Sequence, residues 1–238
     1  MQRYPPRTIP PILSFVAGYV DSCTFLALFG LFVAQVTGSF VLTGTQFVMQ
    51  KPGVVIKLAE IFAFFLAGVA TTVLVRSAER GGRSPLPLAL TLEAMLLTGL
   101  LVLWGVTSPL PGPDTPTVLF ASVLGLSAMG VQSALVRLMW QGSPSTNVMT
   151  TNTTQLAIDM TEFVLAWWAH LRAPANVNTA AEYVEIERRL TKLWPVVLGF
   201  FFGTLAGAVG YVWLDLWCVV LPIAIIGAML VWSAKGQR

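Results

Sequence analysis

The chain has 238 residues, of which 55% are apolar and only 11% are charged, and its mean hydropathy is +0.75. Soluble domains average about 25% charged residues, so this composition excludes a water-soluble globular protein. The net charge of +3 and the pI of about 9.1 do not indicate a nucleic-acid binder, because the basic residues lie beside apolar segments, where the positive-inside rule places them.

Apolar segments dominate the chain, and six of them are long enough to cross a bilayer, which takes roughly 20 residues. They cover residues 9–33, 54–75, 86–106, 117–139, 194–214 and 216–234. Residues 36–49 are too few to cross, and residues 147–169 contain Asn152, Asp159 and Glu162. The pattern predicts an all-α polytopic integral membrane protein, a single membrane domain over 1–238, with six spanning helices and two broken or re-entrant segments.

Arginine and lysine set the predicted orientation. They precede the first span, fill the loops after the second span and before the fifth, and end the chain, whereas the turns at 109–116 and Asp215 contain none. The basic residues in these four places are Arg3, Arg7, Arg76, Arg80, Arg83, Arg172, Arg188, Arg189, Lys192, Lys235 and Arg238. The positive-inside rule then predicts that both termini lie in the cytoplasm. Parity of the crossings predicts that segments 36–49 and 147–169 do not cross.

The polar loop before the fifth span contains a predicted amphipathic helix over residues 174–193. Thr179 and Glu182 form a capping-box pattern, and an apolar stripe follows from Tyr183 to Leu193. We expect this helix to lie on the cytoplasmic membrane surface as a connector.

An internal repeat relates the two halves of the chain. Residues 17–23 match 128–134 with Asp21 opposite Gln132, and three further matches follow in the same order. These pair 36–39 with 149–152, 62–68 with 201–207 and 86–90 with 221–225. The predicted copies are 9–106 and 117–234. Each contains three spans, an odd number, so the copies have opposite orientations, as in many secondary transporters.

Three carboxylates lie within predicted spans, where each is costly. Asp21 lies about 12 residues into the first span, where a charge costs at least roughly 2.5–3.5 kcal/mol. It is interpreted either as a reversible proton carrier or as a protonated group that hydrogen-bonds a neighbouring helix. Lys57 lies one turn before Glu60, which predicts a local ion pair, whereas Glu93 has no evident local partner.

The two broken segments carry the predicted ligand site. Thr37-Gly38-Ser39 and Thr150-Thr151-Asn152 each begin a short helix within the membrane, and free N–H groups at such starts bind anions or carboxylates. The alternative is that the hydroxyls only cap the helix ends. Gln132 is expected to hydrogen-bond across helices. The candidate substrate-binding residues are Asp21, Thr37, Gly38, Ser39, Gln132, Thr150, Thr151 and Asn152.

Several other features are given structural interpretations. Cys23 and Cys218 lie in apolar runs and are expected to be buried thiols, so we predict no metal site and no cofactor. Gly199, Gly203 and Gly207 form a small-residue face, predicted to pack inside the fold rather than in a dimer. No nucleophile, zinc or phosphate-loop motif occurs, so no enzyme is predicted.

The motifs at 18–22, 37–39 and 128–137 resemble those of the YoaK-like bacterial membrane proteins, a family named as a domain of unknown function. The resemblance covers nearly the whole chain and implies a polytopic inner-membrane protein. Where the family pattern reads Thr-Gly-Asn and Thr-Gly, this chain has Thr37-Gly38-Ser39 and Thr150-Thr151. The resemblance therefore carries no ligand chemistry to Ser39 and Thr151, and it implies no substrate.

The residues favour a small secondary transporter or channel for a small anion or carboxylate, with Asp21 as the proton-sensitive group if transport is proton-coupled. The predicted partners are the lipid bilayer, a small-molecule or ion substrate, and a second copy of the chain in a homodimer. The alternative is a non-transporting membrane scaffold or partner subunit, in which the polar residues satisfy one another and leave no cavity.

Overall fold

The computed structural model describes residues 8–50, 54–108, 110, 112–113, 115–172 and 177–235, which form eight α-helices, one short 3-10 helix and no strand. The helices are α1 (Ile9–Ala27), α2 (Val36–Val48), α3 (Val54–Arg80), α4 (Pro85–Thr107), α5 (Pro116–Met139), α6 (Met149–Arg172), α7 (Val177–Leu214) and α8 (Val220–Lys235), with the 3-10 helix at Asp215–Val219. The all-α prediction is confirmed for this part of the chain. The predicted anchors Arg3, Arg7 and Arg238 lie outside the described residues, as does the side chain of Thr179.

Several helices have the length and composition of membrane spans. Five segments of the described chain qualify, namely α1, α3, α4, α5 and Ala181–Ala234, which contains most of α7 and of α8. The chain reverses inside this last segment, because a Cβ built on Gly210 would lie 3.5 Å from the Cβ of Cys218. Eight residues of straight helix cover about 12 Å. The turn predicted at Asp215, where φ is +49°, is therefore present, and the count of six spans stays a prediction.

Helix α1 is shorter than the predicted span 9–33 and ends at Ala27. Phe29 and Gly30 have φ values of 55° and 84°, and the Gly30 N–H bonds the Phe25 carbonyl at 2.8 Å. Such left-handed residues end a helix by satisfying its last carbonyls. The residues that follow return to the level of Asp21, which accepts hydrogen bonds from the Val33 and Ala34 N–H groups, before α2 begins. Helix α2 has 13 residues, about 20 Å, which is shorter than a bilayer core of about 30 Å.

Helices α6 and α7 differ from the prediction. Helix α6 is one continuous helix of 24 residues, although it was expected to be short and broken. The described residues of the helix predicted at 174–193 are helical, but they are not separate from the fifth predicted span and form the first half of α7, which has 38 residues. Their position on the membrane surface stays a prediction. The apolar stripe of these residues faces α6, with the Tyr183 ring 5.0 Å from Phe163 and 6.0 Å from His170.

Ion pairs also join α6 and α7. Arg189 forms ion pairs with Glu162 and, at 3.5 Å, with Asp159 of α6. Glu185 and Arg189 lie one helical turn apart, a spacing from which the sequence predicts an ion pair, but this prediction is wrong because Glu185 pairs with Arg188 at 2.6 Å. The first half of α7 and the second half of α6 form an antiparallel hairpin.

Helices α1 and α5 lie at the centre of the fold. Of their apolar segments, 67% and 61% of residues are buried, against 22–33% for the other candidate spans. Helix α1 packs closely on α7, since a Cβ on Gly199 would lie 2.6 Å from the Pro11 carbonyl oxygen, and Cβ atoms on Gly203 and Gly207 would overlap the carbonyls of Phe15 and Tyr19. The glycine face thus packs inside the fold, as predicted.

Candidate functional site

Asp21 is a buried carboxylate that binds the chain just before α2. Its side chain is 2% exposed, and Oδ1 accepts hydrogen bonds from the backbone N–H groups of Val33 at 2.9 Å and Ala34 at 2.8 Å. Oδ2 accepts one from the Gln35 side-chain amide at 3.0 Å. Hydrogen bonds to an ionised acceptor are roughly twice as strong as neutral ones. Asp21 therefore positions the start of α2, a role that its place in an apolar span did not reveal.

Gln132 does the corresponding work in the second half. Its amide donates to the Leu13 carbonyl and to the Thr146 hydroxyl, both at 3.0 Å, which confirms the predicted bond across helices. Asp21 and Gln132 each bind a side chain 14 residues further along, in the connection before the next helix. The Gln132 Oε1 atom is buried without a hydrogen-bond partner in the described structure.

At the start of α2, only Ser39 is buried among the three predicted site residues. Its hydroxyl donates to Glu60 Oε2 at 3.0 Å, and Lys57 Nζ lies 3.1 Å from Glu60 Oε1, so the predicted local ion pair is confirmed. Thr37 is exposed on the protein surface and Gly38 is half-buried. The Ser39 hydroxyl is therefore used in joining α2 to α3.

Replacing Ser39 with alanine should lower the free energy of unfolding by about 2 kcal/mol, because one buried hydrogen bond to a charged acceptor is lost. The apparent melting temperature of the purified protein measures this. Thr45→Val is the matched control, since the exposed Thr45 hydroxyl bonds only carbonyls of its own helix. Equal melting of the two variants would contradict the role given to Ser39.

At the start of α6, Thr150 and Thr151 are exposed and Asn152 is 4% exposed. The Asn152 amide donates to the Ser145 carbonyl at 2.6 Å, so it holds the preceding connection. No hydrogen bond or ion pair joins these residues to Thr37, Gly38 or Ser39 in the described structure. Their binding of a ligand stays a prediction.

A cavity of about 190 Å³ lies beside Asp21, between α1, α7 and the segment before α2. Its polar lining residues are Asp21, Ser22, Gln35 and Thr204, and its apolar ones are Phe25, Leu26, Phe32 and Ala208. Of the predicted site residues, Asp21 alone lines it. Gln35 and Thr204 were not predicted as site residues, because neither belongs to a recognisable motif. Gln35 nevertheless lies directly before Val36, the first residue of the predicted broken segment 36–49.

A second cavity, of about 460 Å³, lies in the hairpin of α6 and α7 and includes Glu162, Glu182, Glu185 and Arg189. Its acidic side chains are already engaged in part, because Arg189 pairs with Glu162 and Arg188 with Glu185. No group of three or more potential metal ligands occurs in the described structure.

Three other buried groups behave as the sequence suggested. Glu93 is completely buried, and neither carboxyl oxygen has a hydrogen-bond partner in the described chain, in accordance with its lack of a local partner. Cys23 and Cys218 are free and buried. Because Glu93 lines neither cavity described above, it is not part of the site beside Asp21.

The model of one protein family, described as protein of unknown function (DUF1275), matches residues 11–232. The chain belongs to this family. The match covers both proposed halves, from α1 to α8, and agrees with the resemblance to a family of unknown function. No curated protein and no solved structure matches the chain, so the YoaK-like assignment has no named relative behind it.

Proposed function

We propose that this membrane-type helical protein is a small secondary transporter or channel built from two inverted repeats, and that it works as a homodimer in the bacterial inner membrane. The observation that carries the proposal is the matched pair of anchors. Asp21 of α1 and Gln132 of α5 each bind a connection that returns to their level before a helix begins there. Helices that start inside the membrane beside polar groups are how many inverted-repeat transporters build substrate sites.

The packing of the helices supports the repeats 9–106 and 117–234. In the proposed repeats α1 corresponds to α5 and α3 corresponds to α7. A close contact between α1 and α7 should therefore have a counterpart between α5 and α3. Gly18 of α1 lies against the Phe200 backbone of α7, and a Cβ on Gly130 of α5 would lie 2.8 Å from the Phe64 carbonyl oxygen of α3.

The central helices also contact the connections of the opposite repeat. The Ser14 hydroxyl of α1 bonds the Thr146 carbonyl at 3.1 Å, and a Cβ on Gly125 of α5 would lie 2.8 Å from Val33 Cγ1. Each of the central helices α1 and α5 thus contacts the connection before α2 and the connection before α6. A shift of one repeat against the other would therefore alter the two connections together.

An anion or carboxylate substrate was expected at the starts of α2 and α6. At the first of these, the N–H groups of Val33 and Ala34 already bind the Asp21 carboxylate. The chain's own carboxylate thereby occupies the position that a substrate anion would take, and the anion proposal rests on Thr150, Thr151 and Asn152 alone.

Proteoliposomes containing the full chain test the transporter. Halides, oxyanions, small carboxylates, nucleobases and small ammonium compounds are applied in turn, and charge movement on a solid-supported membrane and radiotracer uptake are recorded. We expect uptake of one class, reduced in Asp21→Asn and unchanged in Gly68→Ala, where a Cβ meets nothing within 4 Å. Absence of uptake for every class would contradict the proposal.

Absence of uptake would favour the alternative of a non-transporting scaffold. One observation supports this alternative, because many buried polar groups satisfy one another, as Ser39, Lys57 and Glu60 do. The cavity beside Asp21 opposes it, since a scaffold does not need a carboxylate-lined cavity.

Labelling with a membrane-impermeant maleimide tests the proposed orientation. A cysteine replacing Glu185, whose side chain is 53% exposed, should react only from the cytoplasmic side. A cysteine replacing Trp213, which is 81% exposed at the opposite end of α7, should react only from outside. Background reaction is low because Cys23 and Cys218 are buried. The opposite pattern would reverse the assigned topology.

A further inference from the structure

We infer that the cavity beside Asp21 binds a small organic cation, specifically a primary ammonium group attached to an apolar ring or chain. The inference rests on the proposed function, but the substrate that it assigns to this cavity is a cation and not an anion. It depends on the lining residues, on the free acceptor capacity of the carboxylate and on the two phenyl rings at the edge.

The charge of the lining excludes an anion. Asp21 is its only charged residue, and no lysine, arginine or histidine is among the lining residues. The Asp21 carboxylate would therefore repel a second anion and attract a cation. The Ser22 and Thr204 hydroxyls and the Gln35 amide offer further acceptors for an ammonium group.

One carboxylate oxygen of Asp21, Oδ2, can accept a further hydrogen bond. A carboxylate oxygen has two acceptor positions, and Oδ1 uses both for the N–H groups of Val33 and Ala34. Oδ2 accepts only the Gln35 amide, so one position stays free on the oxygen nearest Gln35. An N–H donor of the ligand fits this position. This favours an ammonium with its own N–H bonds over a quaternary ammonium ion.

The apolar part of the ligand has its own contacts. Phe25 and Phe32 have ring centroids 4.6 Å apart, and both side chains are 38% exposed, whereas Asp21 is 2% exposed. The carboxylate therefore lies deep and the rings lie at the edge of the cavity. Aromatic faces attract cations and also pack against apolar groups. A volume of about 190 Å³ suits one ring and one ammonium group.

A charge series of matched shape tests the inference. Benzylammonium, benzyl alcohol and phenylacetate carry positive, zero and negative charge on the same benzyl group, and their binding to the full chain in zwitterionic nanodiscs is measured by titration calorimetry. We expect benzylammonium to bind about tenfold or more tightly than the other two. Equal affinities, or a preference for phenylacetate, would overturn the inference.

Two variants and one control locate the binding. Asp21→Asn, which keeps an acceptor oxygen, should abolish the preference for benzylammonium, and Phe32→Leu should weaken its binding about threefold. Glu79→Gln removes a carboxylate outside the cavity and should leave binding unchanged. A preference that persists in folded Asp21→Asn, judged by its melting temperature and size-exclusion profile, would place the cation elsewhere and overturn the inference.

The proteoliposome assay keeps the two proposals apart. Uptake of an anion without binding of benzylammonium would overturn the cation site and leave the transporter standing. Binding of benzylammonium that requires Asp21, without uptake of any compound, would leave the cation site standing and contradict the transporter.

Discussion

Replacing Gly203 with valine is expected to lower stability by about 3 kcal/mol or more, enough to remove most folded protein from the membrane fraction. A Cβ at this position overlaps the Phe15 carbonyl, which belongs to the backbone of α1 and cannot rotate away. The two helices would have to separate along their whole contact. The yield of monodisperse protein and its apparent melting temperature measure the effect.

The control for this variant is a glycine in a helix with open space around it. Gly68→Ala and Gly227→Ala introduce a Cβ that meets nothing within 4 Å, so they should be neutral or stabilise by up to about 1 kcal/mol. If Gly203→Val melted like these controls, the contact between α1 and α7 would not be the one described.

Asp21→Ala should lower the free energy of unfolding by about 3 kcal/mol, because the N–H groups of Val33 and Ala34 lose their acceptor. Both residues are almost fully buried, so water cannot easily replace the carboxylate. We expect faster hydrogen exchange at residues 33–38 together with a lower melting temperature.

Asp21→Asn separates this structural role from the charge. Its side-chain oxygen can still accept from both N–H groups, and Gln35 can turn its amide to present the oxygen. We therefore expect most of the stability to be retained and exchange at residues 33–38 to stay slow. If asparagine and alanine destabilised equally, the charge rather than the hydrogen-bond geometry would hold the connection.

The helical segments themselves could be predicted well. The described helices α3, α4 and α5 begin within a residue or two of the predicted spans, because hydropathy depends only on local sequence and apolar residues must face lipid or protein. The Lys57–Glu60 pair was also predictable, since residues three apart on a helix are neighbours.

The wrongly predicted helix boundaries have a common physical origin, which is contact with other parts of the chain. The end of α1 at Ala27 depends on the left-handed residues Phe29 and Gly30 inside an apolar run that looks continuous. The apolar stripe that was expected to face the membrane surface faces α6, where the Tyr183 ring lies 5.0 Å from Phe163, and its helix continues into the fifth predicted span as α7. Neither effect has a signal in hydropathy.

The candidate site was predicted only in part. Asp21 was recognised because a carboxylate in an apolar span is costly, and that cost is a property of the sequence. Its partners Val33, Ala34 and Gln35 could not be deduced, because the chain has to turn after Ala27 to bring them back. Thr204 reaches the same cavity from α7, almost two hundred residues further along the chain.

The sequence by itself determined that this chain is helical and membrane-like, where most helices lie, and that Asp21, Glu60 and Glu93 are its costly residues. These properties follow from composition and from contacts within one or two helical turns. Only the tertiary structure decided that Gly203 packs on α1, that Ser39 binds Glu60, and that the Asp21 carboxylate both anchors α2 and lines a cavity. Such contacts join distant parts of the chain, so their geometry exists only once the helices have packed.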